Sequence, residues 1–294
     1  MVPRGFEYFA PRSLSEATAL LKRGGGEAKV LAGGMSLIPA MKLRLSSPAT
    51  IVDINRIEGL DQIKESKGRL LIGSMVRHHA LETSELVRTK ARLLSETAEC
   101  IGDPQIRNRG TIGGAMVHCD PSGDWGGSIL AMRGSLRMVG PSKERSVPVD
   151  DFLVDTFASA VAPDEILVEV SVPLPPPRSG GAYQKLERRA GDFPTAAVAV
   201  QLSLDANDVC TLIGIGLTAL GPKNLRAKRA EEALSGRKLT EDTILDASAA
   251  ASGDSEPTDD PLRGSAKYKK EMAAVLTRRA LNMAVRRARG RGDK

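Results

Sequence analysis

The sequence predicts an α+β protein of two unlike parts, and three observations carry that reading. Short apolar runs of strand character alternate with segments of helical spacing as far as Val172. Two glycine pairs, Gly33-Gly34 and Gly113-Gly114, each stand beside a short apolar segment. The run Pro173 to Pro177 (PLPPP), followed by Arg178-Ser179-Gly180-Gly181, then separates this part from a strand hairpin and a series of helices.

Taken in order, Ser13 to Lys22 reads as a helix. Ser13 is its N-cap and Glu16 stands three residues on, the capping-box spacing, with Leu14, Ala17, Leu20 and Leu21 at helical intervals. Gly24-Gly25-Gly26 stops it. Lys29 to Ala32 and Ile51 to Ile54 read as strands flanking Leu37 to Leu45. Leu70 to Gly73 is a further strand, and His79 to Val87 and Leu93 to Cys100 are helical. Gly110 to Gly127 is a glycine-rich stretch, followed by apolar segments at Ile129 to Met138 and Ile166 to Val172. Beyond the proline run, the alternation of Val198, Val200, Leu202 and Leu204 predicts a half-buried strand. Asp205 to Asp208 turns it back into Thr211 to Leu217, and helices follow, the last over Lys267 to Ala288. The expected boundaries are 1–176 and 177–294, with the first part divided near residue 56. No internal repeat is evident.

Composition narrows the function classes. Hydrophobic residues make up 41% and charged residues 27%, enough apolar material for a sizeable core. Aromatics are only 3%, which argues against single-stranded nucleic acid or glycan binding by stacking. The net charge of +6 is uneven: from Arg263 to Lys294 eleven Lys/Arg stand against Glu271 and Asp293, an excess of nine, leaving about −3 for the remainder. That tail reads as a solvated basic helix face or as a docking surface for an acidic neighbour; no nucleic-acid motif accompanies it. Cys100, Cys119 and Cys210 form no Cys-x-x-Cys, so neither a structural zinc nor an iron–sulfur cluster finds its four ligands here. The same usage points to a reducing compartment, the cytoplasm. No apolar run reaches the roughly 20 residues of a transmembrane helix, and MVPRGFEYFAPRS lacks an apolar signal core. Peripheral contact with the inner face of a membrane stays open. No Ser/His/Asp set and no His/Asp metal cluster is present, so hydrolase chemistry has no support.

The chemistry-bearing segments are Leu31-Ala32-Gly33-Gly34-Met35-Ser36-Leu37 and Thr111-Ile112-Gly113-Gly114-Ala115. Glycine pairs permit positive φ and let backbone amides converge, a nest suited to a diphosphate. Ser36 and Thr111 add hydroxyls. Neither segment matches GxGxxG or GxxxxGK[ST], which argues against a conventional dinucleotide fold or P-loop.

The two turns together carry a resemblance. AGGxSL followed about eighty residues later by TIGGx resembles the paired flavin-diphosphate loops of the FAD-binding medium subunits of molybdenum hydroxylases, the carbon monoxide dehydrogenase and xanthine dehydrogenase type. VLAGGMSLIPAMKLRL, PQIRNRGTIGG, CDPSGDW, KLERRAGDF and DPLRGSAKYKKEM extend it over essentially the whole chain in order. The resemblance implies a vanillyl-alcohol-oxidase (PCMH) type FAD-binding domain of two α/β subdomains, about 1–56 and 57–176. It also implies a C-terminal domain of antiparallel strands and helices over 177–294.

It further implies FAD as cofactor, held by Leu31, Ala32, Gly33, Gly34, Met35, Ser36 and Leu37 in the first loop and by Thr111, Gly113, Gly114 and Ala115 in the second. Asp124 matches an acid that holds flavin hydroxyls, or else caps the helix before Trp125. Leu167 matches a position packing on the flavin side of the cleft, Lys185 a lysine near the isoalloxazine, and Phe193 an aromatic close to the ring. For Lys185 a solvated strand position is the alternative, and for Phe193 plain core packing. His78 and His79 read as structural, Cys119 as a small buried residue, and His118 as able to approach the flavin. Met35 stands where the carbon monoxide dehydrogenase version usually has His, Ala115 where it has Asn, and Phe193 where Tyr is familiar. These departures leave the backbone nest intact, and they point away from carbon monoxide as the holoenzyme's substrate. The implied partners are a large subunit with the molybdenum cofactor and a small subunit with two 2Fe–2S clusters, in a heterotrimer or a dimer of heterotrimers. The chain's role would be to pass electrons from those clusters through FAD to quinone, NAD or oxygen. A self-contained flavin oxidase and a structural subunit without FAD are the rival readings.

Overall fold

The computed structural model describes residues 2–292; Met1, which opens the N-terminal reading, and Asp293 and Lys294 of the basic tail lie outside them. The first unit is a small parallel sheet of β1 (Glu7–Phe9), β3 (Thr50–Asp53) and β2 (Ala28–Leu31), in that order. Helix α1 (Leu14–Gly24) connects β1 to β2, and α2 (Leu37–Lys42) lies between β2 and β3. Ser13 caps α1 by accepting from the Glu16 N–H at 3.2 Å. The Glu16 carboxylate reaches back to the Arg12 N–H at 3.1 Å, one residue before the N-cap. Ala17, Leu21, Val52 and Ile54 form the small core beneath this sheet.

A five-stranded sheet follows, with order β4 (Ile63–Ser66), β5 (Arg69–Gly73), β10 (Ile166–Pro173), β6 (Ser135–Val139) and β7 (Glu144–Pro148). Every pair in it is antiparallel. Between β5 and β6 the chain runs through α3 (His78–Thr83), α4 (Glu85–Lys90), α5 (Arg92–Glu99), α6 (Pro104–Arg109), α7 (Ile112–His118) and α8 (Asp124–Ala131). The single helix expected over His79 to Val87 is therefore two. Ser84 adopts extended φ/ψ, ends the first and caps the second through the Val87 N–H. The glycine-rich stretch supplies helix α7 and the first half of α8. After β7 come α9 (Val149–Phe152) and a small hairpin of β8 (Leu153–Asp155) and β9 (Ala158–Ser159).

The chain leaves β10 at Pro173 and enters a four-stranded antiparallel sheet at Ser179. Its order is β11 (Ser179–Leu186), β12 (Ala196–Leu204), β13 (Cys210–Thr218), β14 (Leu225–Arg226). Helices α10 (Lys228–Leu234), α11 (Glu241–Asp254) and α12 (Ala266–Ala288) follow. The alternation in β12 predicts one wet face, but all nine of its residues are buried. The reason is that the sheet is covered twice. Ala197 and Ala199 join the large core around Trp125, Leu93 and Ile129, whereas Val198, Val200 and Leu202 face the core built with Leu276, Ala280 and Leu281 of α12. The second face carries alanine, glutamine and serine and so does not register as a hydrophobic stripe. Glycine in β13 serves the same close approach: a Cβ on Gly216 would lie 1.9 Å from the Gly127 carbonyl oxygen of α8.

The basic C-terminal helix is not simply a solvated face. Arg287 pairs with Glu96 of α5 at 2.6 Å and donates to the Gly181 carbonyl. Arg289 pairs with Asp208 at 3.0 Å, Arg278 with Glu241, and Lys269 donates to the Thr258 carbonyl at 3.0 Å. Several of the tail's cations thus tie α12 to the rest of the chain. No helix among the described residues is long and apolar enough to cross a membrane.

Candidate functional site

The two glycine turns, far apart in sequence, meet in the fold. A Cβ on Gly33 would lie 2.3 Å from the Arg109 carbonyl oxygen and 2.9 Å from the Gly110 Cα, so the first turn rests backbone to backbone on the entry to the second. A Cβ on Gly114 would lie 3.6 Å from that of Ala32. Only Gly34 of the four glycines uses positive φ, at 79°. Gly33, Gly113 and Gly114 are needed for proximity rather than for backbone freedom.

A frame of side chains fixes this juxtaposition. Asn55 donates to the Ala32 carbonyl at 2.9 Å and to Asp53 at 2.6 Å. Arg77 donates to Asn55 Oδ1 at 2.7 Å and to the Arg109 carbonyl at 2.5 Å, joining the strand end behind the first turn to the second. Tyr8 holds the far oxygen of Asp53 at 2.6 Å. Sequence reading misses Asn55 and Arg77, whose partners in the two turns and in each other lie more than twenty residues away; a polar pair placed just after predicted strand ends was the available signal.

The turns differ in what their amides do. In the second, Ile112 donates to the Val76 carbonyl, Gly113 to the Ser74 carbonyl at 2.9 Å, and Gly114 to the Thr111 hydroxyl at 3.1 Å, as in an ordinary helix N-terminus. The expectation of two open amide nests is corrected here. In the first turn, among the described residues, the N–H groups of Gly33, Gly34, Met35 and Ser36 donate to no atom of the chain. Gly33 is buried, and the Ser36 hydroxyl likewise bonds nothing. N–H groups left unspent at a helix start are available to an anion. The first turn therefore fits a diphosphate, and glycine at 33 and 114 leaves no side chain between the turns.

A second cluster lies among α5, α8 and β11. Asp124, the first residue of α8 with Gly123 as N-cap, is buried rather than acting as the cap itself. Its Oδ1 accepts from the Tyr183 phenol at 2.6 Å, and Lys185 Nζ lies 3.2 Å from Oδ1 and 3.3 Å from Oδ2. Lys185 Nζ also donates to the Cys100 carbonyl at 2.8 Å and stands 3.3 Å from Glu187. With its side chain 4% exposed, Lys185 is not a solvated strand lysine. Burial raises the Asp124 carboxyl above its ordinary value, with Lys185 and Tyr183 pulling it back. Burial and the neighbouring Asp124 raise the Tyr183 phenol strongly. Burial lifts the Cys100 thiol to about 11, so it is no thiolate nucleophile.

The two clusters communicate through His78. Trp125, adjacent to Asp124, donates Nε1 to His78 Nδ1 at 3.1 Å, and the other edge of the imidazole abuts Gly110. Burial, then Arg77 and Arg107, depress His78 to about 4 from 6.5. The folded-state value lies below the unfolded one, so this stability is complete above pH 6.5 and is lost as pH falls toward 4. The whole window corresponds to about 3 kcal/mol. His78→Gln is expected to flatten the loss of stability between pH 7 and about 4.5 in urea denaturation; an unchanged acid slope contradicts this assignment.

The remaining expected residues are more scattered. Leu167 is buried in the large core at a bulge in β10. Phe193 is 46% exposed on the β11–β12 loop and so is not core packing. That loop touches the turn after α5, where a Cβ on Gly191 would lie 2.7 Å from the Gly102 carbonyl. Met35 is exposed and Ala115 half-buried. His118 is exposed with its ring 5.1 Å from that of Phe157, and Cys119 is buried.

Residues 4–175 match the family described as FAD binding domain in molybdopterin dehydrogenase, and residues 181–284 match the CO dehydrogenase flavoprotein C-terminal domain. The chain belongs to this family of oxidoreductase flavoprotein subunits. It is 42% identical to the carbon monoxide dehydrogenase medium chain of Hydrogenophaga pseudoflava over 97% of this chain and 98% of that one. It is 36% identical to the 6-hydroxypseudooxynicotine dehydrogenase complex subunit alpha of Paenarthrobacter nicotinovorans, over 98% of this chain and 97% of that one. Among solved structures, carbon monoxide dehydrogenase from H. pseudoflava lacking the Mo-pyranopterin moiety matches with a TM-score of 0.94 and 43% identity, covering 97% of this chain and 98% of that one.

Proposed function

We propose that this chain binds FAD between its two glycine turns and carries electrons from the 2Fe–2S clusters of a small partner subunit to an external acceptor, quinone, NAD or oxygen. The observation that carries the proposal is the row of unspent N–H donors from Gly33 to Ser36, pinned against the second turn. In it, Ala32 to Ser36 hold the diphosphate, with Leu31 and Leu37 bounding the turn. Thr111, Gly113, Gly114 and Ala115 provide the close-packed floor. Asp124 accepts from flavin hydroxyls, and Lys185 sets a positive charge nearby. Leu167 and Phe193 belong to the same cleft. When bound, the flavin accepts electrons singly from the clusters and delivers two to the acceptor. The protein's part is to bind, orient and tune, which accounts for the lack of an acid, base or nucleophile set in the sequence.

The same reading takes 1–176 as the FAD-binding part and 177–294 as the C-terminal domain, supported by the passage between sheets after Pro173. It adds a large subunit with the molybdenum cofactor, where substrate is oxidised, in a heterotrimer or its dimer in the cytoplasm. Two relatives whose names carry substrates as unlike as carbon monoxide and 6-hydroxypseudooxynicotine support leaving the substrate to that subunit. Affinity isolation of the tagged chain from its native cell tests this. A large and a small companion, with molybdenum, iron and FAD together, are expected. A chain isolated alone that oxidises a small molecule would instead favour a self-contained oxidase.

A further inference from the structure

We infer that Tyr183 is a positioning residue of the flavin site, its phenol orienting the Asp124 carboxylate so that a free lone pair meets the flavin hydroxyls. The inference rests on the proposed FAD site. Tyr183 is 6% exposed and its ring lies in the large core, where phenylalanine would fill the same space. A hydroxyl there is costly to bury unless bonded. It is bonded, to Asp124 Oδ1 at 2.6 Å. The residue is also fixed from behind: its N–H donates to Glu96 at 3.4 Å, and Glu96 is held by Arg287 of α12. An ionised carboxylate offers about four lone-pair directions. The phenol and the Lys185 ammonium take part of that capacity and leave acceptor capacity for a ligand. Tyr183 thus couples the C-terminal helix to a residue of the FAD-binding part.

The groups facing Asp124 are Tyr183 and Lys185 from β11, Glu187 just beyond its end, and Cys100 from the end of α5. Removing only the phenol hydroxyl withdraws a donor that favours the ionised form, so the carboxyl takes up its proton at higher pH. The experiment is FAD dissociation measured by flavin fluorescence on the full chain, in whatever complex it is isolated, from about pH 5 to 8. Wild-type protein should lose affinity as pH falls and Asp124 protonates. In Tyr183→Phe that loss should begin about one pH unit higher, the size of one hydrogen bond to a charged group. A profile that superimposes on wild type overturns the inference. Incorporating 3-fluorotyrosine at 183, nearly isosteric and a stronger donor, provides a second test should Tyr183→Phe fail to fold. It should move the loss to lower pH, and an unmoved profile overturns the inference equally. Wild-type protein that binds no FAD at any pH would sink the underlying flavin reading instead.

Discussion

Gly33→Val protein is expected to be purified without flavin. Its new Cβ would stand 2.3 Å from the Arg109 carbonyl oxygen and 2.9 Å from the Gly110 Cα. Both are backbone atoms, so no rotamer change relieves the collision. The first turn must lift off the second, carrying the amides of Gly33 to Ser36 with it. An anion receptor made of backbone N–H groups depends on where they are held more than on any side chain. FAD affinity should fall by about 100-fold or more, the loss of two or so charge-assisted hydrogen bonds. Overall stability should drop by only about 1–3 kcal/mol, as for other overpacked sites. Equilibrium titration with FAD, beside thermal denaturation, separates the two. A variant that keeps wild-type affinity would remove the first turn from the site.

Lys185→Met is the second large effect. The substitution leaves Asp124 buried without its cation and Glu187 without its nearest one. Breaking a buried pair by deleting one partner costs about 3–5 kcal/mol. The pH dependence gives the cause away. Asp124 already lies above its ordinary value because burial opposes its charge, and losing Lys185 raises it further. A carboxyl whose folded-state pKa exceeds the unfolded one favours the fold at low pH, and that contribution disappears as pH rises through the folded-state value. The deficit of Lys185→Met relative to wild type should therefore be greatest at neutral pH and shrink as the pH falls. Urea denaturation over a pH series reads it. Equal deficits would mean that Lys185 acts through packing alone.

Much of this molecule is legible in its sequence where local signals agree with the fold. Ser13 with Glu16, the apolar run at 70–73 and the alternation through β12 each mark an element that forms. The failures have physical causes. Glycine lowers helix propensity, so α7 and α8 are not marked out within the glycine-rich stretch; their glycines are there because Gly113 rests on Ser74 and Gly127 on Thr218. The half-buried reading of β12 fails because a second helix layer, α8, comes from a distant part of the chain. The glycine turns are visible as motifs, but that the first keeps four amides free while those of Ile112 and Gly113 in the second are taken depends on Val76 and Ser74. Tyr183 and Lys185 alternate along β11 and so share a face, with Glu187 at the same spacing just past its end, a signal present in the sequence. What they face, Asp124 about sixty residues earlier, is supplied only by the fold.

The visible absorption spectrum of the purified chain, with the flavin released by heat and counted, tests the central claim most directly. The account predicts bands near roughly 370 and 450 nm and about one FAD per chain. A colourless protein that also takes up no added FAD would contradict it.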